Sequence, residues 1–237
     1  MEQLISSKLE RELSEVGVTT LRQLLTAGAI CTLRRWLQAV VDLKREIPGS
    51  FEPEFEPGSD EVRKLRRLYW NDKAFWENFF IETALPAIIR RFVKAPISLT
   101  FHAAFLKPAK MGTEVVLHQD QALWKYNYPD AVSVWIALTP AKWDNGCLIG
   151  CPKSHTHGAV LHREIPNYPW HRGIDWRIEG LSQPIYYELE PGDALIWHRY
   201  FVHGSGPNLS PVPRWGIVMV FLNRMQSDLR TVDRVDF

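Results

Sequence analysis

Apolar positions recur at helical spacing up to about residue 95, after which they change to short alternating runs broken by Gly, Pro, Asn and Asp. Residues 1–47 read as helical apart from one extended piece, Val18-Thr19-Thr20-Leu21. Within them Thr26 can cap a helix over Ala27 to Val41, because a Ser or Thr hydroxyl accepts a free backbone N–H of the first turn. Leu33, Trp36, Leu37, Val40 and Val41 then share one face, which must pack on something larger. The segment Ile47 to Asp60, with three Pro, two Gly and several acids, has no period and predicts a loop. A second helix is predicted over roughly Asp72 to Val93, with Phe75, Phe79, Ile81, Leu85, Ile88 and Ile89 as its stripe.

From about residue 96 the pattern is that of an all-β sandwich or barrel. Strands are predicted over 97–106, 113–118, 131–138, 147–150, 185–189, 194–198 and 214–222. Glu190-Pro191-Gly192-Asp193 is a tight turn, Pro presetting φ and Gly allowing positive φ. The stretch 156–184 has little strand pattern but holds His157, His162, Tyr168, Trp170, His171 and Trp176, and it predicts a long loop over a barrel mouth. The fold class is thus mainly β with N-terminal helices, in one domain spanning 1–237: a helical part over about 1–95 and a β core over about 96–225.

Composition narrows the function classes. Lys+Arg 28 against Asp+Glu 27 leaves a net charge of +1, which marks neither a nucleic-acid binder nor an anionic-membrane binder and points to a small-molecule partner. Three cysteines, Cys31, Cys147 and Cys151, cannot make a disulfide framework. No apolar run follows a basic patch at the start, and no stretch approaches the ~20 apolar residues of a membrane span. A cytoplasmic protein is expected, of unspecified oligomeric state.

The candidate chemistry lies in His118-Gln119-Asp120 and in His203, with Arg214 beyond it. On a strand, side chains at i and i+2 share a face, so His-x-Asp can present two ligands to one ion, and the third comes from a strand distant in sequence. Two imidazoles and one carboxylate on one face of an octahedron leave three positions open, the arrangement of non-haem Fe(II) oxygenases. By itself His-x-Asp plus a later His is weak evidence, since unrelated structural histidines give the same pattern. Arg214 adds to it. The run Trp215 to Leu222 is so apolar that Arg214 sits at the edge of a buried face, where a guanidinium can grip the distal carboxylate of a dicarboxylate that chelates the metal at its other end.

Lys107-Pro108, His118-Gln119-Asp120, Trp135-Ile136-Ala137-Leu138, Asn145-Gly146-Cys147-Leu148, Pro152-Lys153-Ser154-His155, Pro191-Gly192-Asp193 and His203-Gly204-Ser205 with Arg214 occur in an order that resembles the phytanoyl-CoA dioxygenase-like (PhyH) branch of Fe(II)/2-oxoglutarate-dependent oxygenases. Gly17 to Val41 is similar to that family's N-terminal strand and helix, so the resemblance covers nearly the whole chain. It implies a double-stranded β-helix (jelly roll, cupin-like) with helices packed outside. It makes His118, Asp120 and His203 the iron ligands and catalytic centre, Arg214 and Ser205 the partners of the 2-oxoglutarate C5 carboxylate, and Trp135 a wall of that pocket. The implied reaction uses Fe(II), 2-oxoglutarate and O2, releases succinate and CO2 and hydroxylates an unactivated C–H bond of a metabolic or natural-product intermediate. Asp120 occupies the position that halide takes in related halogenases, so hydroxylation is favoured over halogenation; desaturation, cyclisation and demethylation share the first step. Lys153 departs from the family's Pro-Gly-Ser-His turn and puts that turn's backbone geometry in question.

Other readings stay open at this stage. Cys147, Cys151, His155 and His157 could be a zinc cluster, although their spacing is not a standard knuckle. His198 could assist the metal from behind. Trp124, Tyr126, Tyr128, Trp143, Trp170 and Trp176, on loops after strands, suggest an aromatic-lined pocket. A barrel enzyme without 2-oxoglutarate, a catalytically silent ligand-binding relative and a peptide hydroxylase are the competing functions.

Overall fold

A computed structural model describes residues 2–124, 127–165, 168–223, 225 and 235–236. Helix α1 (Glu2–Val16), strand β1 (Val18–Leu21) and helix α2 (Ala27–Val41) come first, and the Thr26 hydroxyl accepts the Ala29 N–H at 3.2 Å as the α2 cap. Two short strands follow, β2 (Glu54–Phe55) and β3 (Val62–Arg66), then helices α3 (Leu68–Asn71), α4 (Lys73–Glu82) and α5 (Leu85–Ile89). The remaining strands are β4 (Ile97–Lys107), β5 (Val115–His118), β6 (Val132–Ala137), β7 (Leu148–Gly150), β8 (Arg163–Ile165), β9 (Tyr168–Gly173), β10 (Ile185–Tyr187), β11 (Ala194–His198), β12 (His203–Ser205), β13 (Arg214–Asn223) and β14 (Val235–Asp236).

The larger sheet runs β1-β11-β6-β13-β4-β3-β2, with β14 also on β4; the smaller runs β10-β7-β12-β5; β8 and β9 form a separate hairpin. Every described pairing in these sheets is antiparallel. Along the chain, β4, β6, β11 and β13 of the larger sheet alternate with β5, β7 and β12 of the smaller. Such winding between two sheets is a double-stranded β-helix, and it sets residues distant in sequence on facing walls.

Period two on the long strands separates two cores. From β4 and β13, Leu99, Ala104, Leu106, Ile217, Met219 and Phe221 join the helices in one apolar cluster. The opposite face supplies Ala103, Trp135, Leu195, Trp197 and Val218, with Phe101 and Phe105 against them, to a second cluster inside the barrel. The outer cluster is rich in rings: Trp36 stacks on Phe75 at 5.1 Å, and Trp76 meets Phe75 and Phe79 edge-on. Asp72 secures this corner twice, capping α4 through the Phe75 N–H at 3.1 Å and accepting the Trp36 indole N–H at 2.8 Å.

Several sequence-based expectations need correction. The helix predicted over Asp72 to Val93 is broken at Thr83, which is extended, because Pro86 lacks an N–H and its ring would collide with the carbonyl four residues back in a continuous helix. The buried face of α4 is Trp76, Phe79 and Phe80, while Ile81 is 81% exposed. The predicted loop 156–184 contains the β8–β9 hairpin, and β2, β3, β12 and β14 were also not anticipated. Lys153 adopts φ 63°, ψ 4°, the left-handed geometry that glycine would take without strain. Among the described residues no helix is long and apolar enough to cross a membrane.

Truncating Asp72→Ala removes a cap and a partly buried hydrogen bond, each worth about 1 kcal/mol, so chemical denaturation should show a loss of about 2 kcal/mol. His102, on β4, lies edge-on to Trp76 at 4.1 Å with neither ring nitrogen partnered among the described residues, and burial pushes its pKa down to about 3. The unfolded chain therefore binds a proton at this residue that the folded chain refuses between its ordinary value of 6.5 and about 3. The stability this histidine contributes is fully present above pH 6.5 and is lost as pH falls through that window. In His102→Leu the acid slope of unfolding free energy should become shallower by up to about 1.4 kcal/mol per pH unit, as measured by denaturation at stepped pH.

Candidate metal centre

The site is assembled where the edge strand of the smaller sheet ends. β12 lies between β7 and β5, and its register sets His203 directly opposite His118, with the ring centroids 4.5 Å apart. β5 stops at His118; Gln119 remains extended, and Asp120 opens a 3-10 turn (Asp120–Leu123). The i, i+2 geometry thus survives, although Asp120 stands just past the strand. The His118 and His203 Nδ1 atoms lie against the carbonyls of Val116 and Phe201, at 2.8 and 2.9 Å. With Nδ1–H donating there, each Nε2 keeps its lone pair.

Both Nε2 atoms point at one oxygen of Asp120: Oδ1 is 3.6 Å from His118 and 3.7 Å from His203. Its other oxygen is held from the larger sheet, accepting the Ser133 hydroxyl and the Trp197 indole N–H, the latter at 2.9 Å. The three donor atoms lie within 4.8 Å of one another, close enough to share one ion. Burial works to raise the Asp120 pKa, but His203, His118 and the Ser133 hydrogen bond outweigh it and hold the carboxyl below its usual range. Burial drives His203 down to about 4 against the pull of Asp120, so at neutral pH a carboxylate faces a neutral imidazole. Two nitrogens and one anionic oxygen on one side, with no fourth His, Cys, Asp or Glu among the described residues of the group, suit an open-site divalent iron.

Deeper in the barrel Arg214 begins β13 opposite Lys107, and both are buried. Its Nη2 donates to the Gly146 carbonyl at 2.8 Å, and the guanidinium lies 5.2 Å from the Trp135 ring centroid. Its Nε has no partner among the described residues, which leaves a buried donor for an anion. Lys107 donates to the Thr113 carbonyl, and burial followed by the nearby Arg214 charge lowers its pKa to about 6. Ser205 follows His203 on β12 and is also buried, on the same face of the strand by period two. Gly216 leaves room for Trp135: a Cβ there would lie 2.2 Å from that ring.

The candidate residues His118, Asp120 and His203 thus converge, while Arg214 and Trp135 form a second station. Reading the sequence missed Ser133 and Trp197, although period two already places Ser133 on the Trp135 face. Gln119 was missed as well. Its buried amide donates to the carbonyls of Gly158 and Tyr200, both at 2.8 Å, and accepts the Val160 N–H at 2.9 Å, while its backbone N–H donates to His162 Nε2 at 3.0 Å.

Other candidates lie elsewhere. Cys147 and Cys151 are buried in separate apolar clusters, and no zinc site gathers around them among the described residues. His198 accepts the Tyr200 N–H at 3.1 Å and faces His155 rather than the triad. Of the rings expected to line a pocket, Trp143 is 64% exposed, Trp176 packs beside Ile174 and Leu181, and Trp124 lies beside Tyr128. Tyr126 and the side chain of Trp170 fall outside the described residues.

The chain is similar to several known proteins. A protein named phytanoyl-CoA dioxygenase 1, from Oryza sativa subsp. japonica, is 32% identical over 124 residues, covering 51% of this chain and 43% of its own length. The chain thus spans under half of that relative. The 1-deoxypentalenic acid 11-beta-hydroxylase of Streptomyces arenae is 28% identical over 238 residues, covering 92% of this chain and 80% of its own. The crystal structure of EctD from S. alaskensis with bound Fe shares the fold at TM-score 0.74 and 17% identity, covering 92% of this chain and 76% of that one. The sequence model of phytanoyl-CoA dioxygenase (PhyH) matches residues 13–216, and this chain belongs to that family.

Proposed function

We propose that the chain is a cytoplasmic Fe(II)- and 2-oxoglutarate-dependent dioxygenase that hydroxylates an unactivated C–H bond of a small molecule, with all of 1–237 acting as one domain. The observation that carries the reading is the pairing of an open His118–Asp120–His203 set with a buried, incompletely partnered Arg214 deeper in the same barrel. Family membership supports it, as do the fold neighbour EctD, solved with 2-oxoglutarate and 5-hydroxyectoine, and the Streptomyces arenae hydroxylase.

Fe(II) with 2-oxoglutarate and O2 supplies the oxidising power, and succinate and CO2 leave as co-products. The protein supplies geometry. His118 and His203 offer Nε2 because their Nδ1 atoms are committed to the backbone, and Asp120 offers Oδ1 because Ser133 and Trp197 hold Oδ2. Arg214 takes the distal carboxylate of 2-oxoglutarate through its free donor, with Trp135 beneath the guanidinium and Ser205 as a second donor to that carboxylate. Asp120 fills the third ligand position, which favours transfer of hydroxyl over halide to the substrate.

Anaerobic titration with Fe(II) and then 2-oxoglutarate should produce the weak visible charge-transfer band of the chelate. Asp120→Ala should abolish it, and Arg214→Ala should weaken 2-oxoglutarate binding at least about 30-fold, the result of removing about 2 kcal/mol or more from a buried charged pair. A folded, iron-loaded wild type without the band would overturn the assignment. Gly216→Ala should lower 2-oxoglutarate affinity about tenfold in the same titration, because its methyl group displaces Trp135 at an overpacking cost of about 1–3 kcal/mol.

A further inference from the structure

β3 extends the larger sheet beyond β4, with Lys64 opposite Phe105 and Arg66 opposite Ala103. Opposed residues of an antiparallel pair share a face. Phe105 and Ala103 belong to the barrel's interior cluster with Trp135 and Trp197, so Lys64 stands on the face to which Asp120 is tied. Its Nζ lies 4.8 Å from the centroid of Phe105 and 5.8 Å from that of Phe101.

The lysine is poorly matched in its present surroundings. Its side chain is only 16% exposed, and its nearest carboxylate, Glu54 Oε1, is 3.8 Å away. That same oxygen is already hydrogen-bonded by Arg66. Among the described residues no acceptor takes a hydrogen bond from Nζ, although an ammonium carries three donors. Contact with aromatic faces returns about 1 kcal/mol and engages none of the three donors with a protein acceptor. Burial, opposed by Glu54, lowers the pKa to about 8, as expected of a cation short of solvent and partners.

We propose that Lys64 is the substrate-recognition residue, its ammonium receiving the carboxylate of an aryl or alkyl carboxylic acid whose hydrocarbon part lies over Phe101 and Phe105. The assignment rests on the oxygenase reading above and names the substrate class for that site. A carboxylate provides the missing acceptor in charge-assisted form, roughly twice as strong as a neutral one. Two rings with one placed charge are also the make-up of a specific small-molecule pocket. Lys64 and Arg214 lie on the same sheet with β4 between their strands, so a positioned acid and 2-oxoglutarate would each have a cation of its own.

The test is anaerobic calorimetry on protein loaded with Fe(II) and saturating 2-oxoglutarate, which occupies Arg214, using 3-phenylpropanoate and 3-phenylpropanamide as a matched pair. The acid should bind at least tenfold more tightly than the amide in the wild type. Lys64→Arg should retain that preference and Lys64→Met should erase it, with the charge-transfer band unchanged in both. With the band present, equal binding of acid and amide, binding of neither, or a preference that survives Lys64→Met would overturn the Lys64 assignment alone. A wild type that lacks the band and still prefers the acid through Lys64 would overturn the oxygenase reading alone.

Discussion

The geometry of this protein depends on one cross-sheet interaction, the grip of Ser133 and Trp197 on Asp120. Asp120 follows a strand of the smaller sheet, and its two partners stand on adjacent strands of the larger. The bonds therefore span the barrel interior and leave one carboxylate oxygen free for the histidines. A buried carboxylate is tolerated only when it is well partnered, and here the partners that meet that requirement also aim the ligand. Structure and chemistry use the same two hydrogen bonds.

The larger sheet is asymmetric in a way that serves this arrangement. Its outer face is covered by helices and rings, so β4, β6 and β13 are held rigidly from behind. Its inner face carries the features that a purely structural core avoids: a buried arginine, a buried lysine and a serine committed to a carboxylate. A rigid backing allows such groups to keep fixed positions without filling the barrel with side chains.

What was legible in the sequence follows from which signals are local. The strands 194–198 and 214–222 were readable because burial on both faces makes Ala194 to Trp197 and Trp215 to Leu222 apolar, strand 97–106 because its apolar residues alternate with Ser98, Thr100 and His102, and Thr26 was readable as a cap because capping needs only the next three residues. His118, Asp120 and His203 could be singled out by type and spacing, while their convergence depends on the pairing of β5 with β12, which no local pattern encodes. The β8–β9 hairpin was missed because Arg163-Glu164-Ile165 is short and largely polar, and its pairing is decided by contact with its partner. Ile81 was placed on the wrong face because an apolar residue beside a true stripe looks the same as one within it. Trp197 gave no sign of its role, since an indole reads as core until its N–H is seen to have a carboxylate partner.

Gln119 has a consequence for anyone re-engineering this protein. Its side chain and backbone bind Gly158, Val160, Tyr200 and His162, so the segment 158–162 is built into the frame that carries the ligands. The hairpin from Arg163 onward is attached by backbone bonds such as that from Ile174 to Leu117 and makes none of those four contacts. The natural splice point for transplanting a different hairpin therefore lies between His162 and Arg163; a graft begun earlier would cut the hydrogen bonds that hold Gln119 between His118 and Asp120.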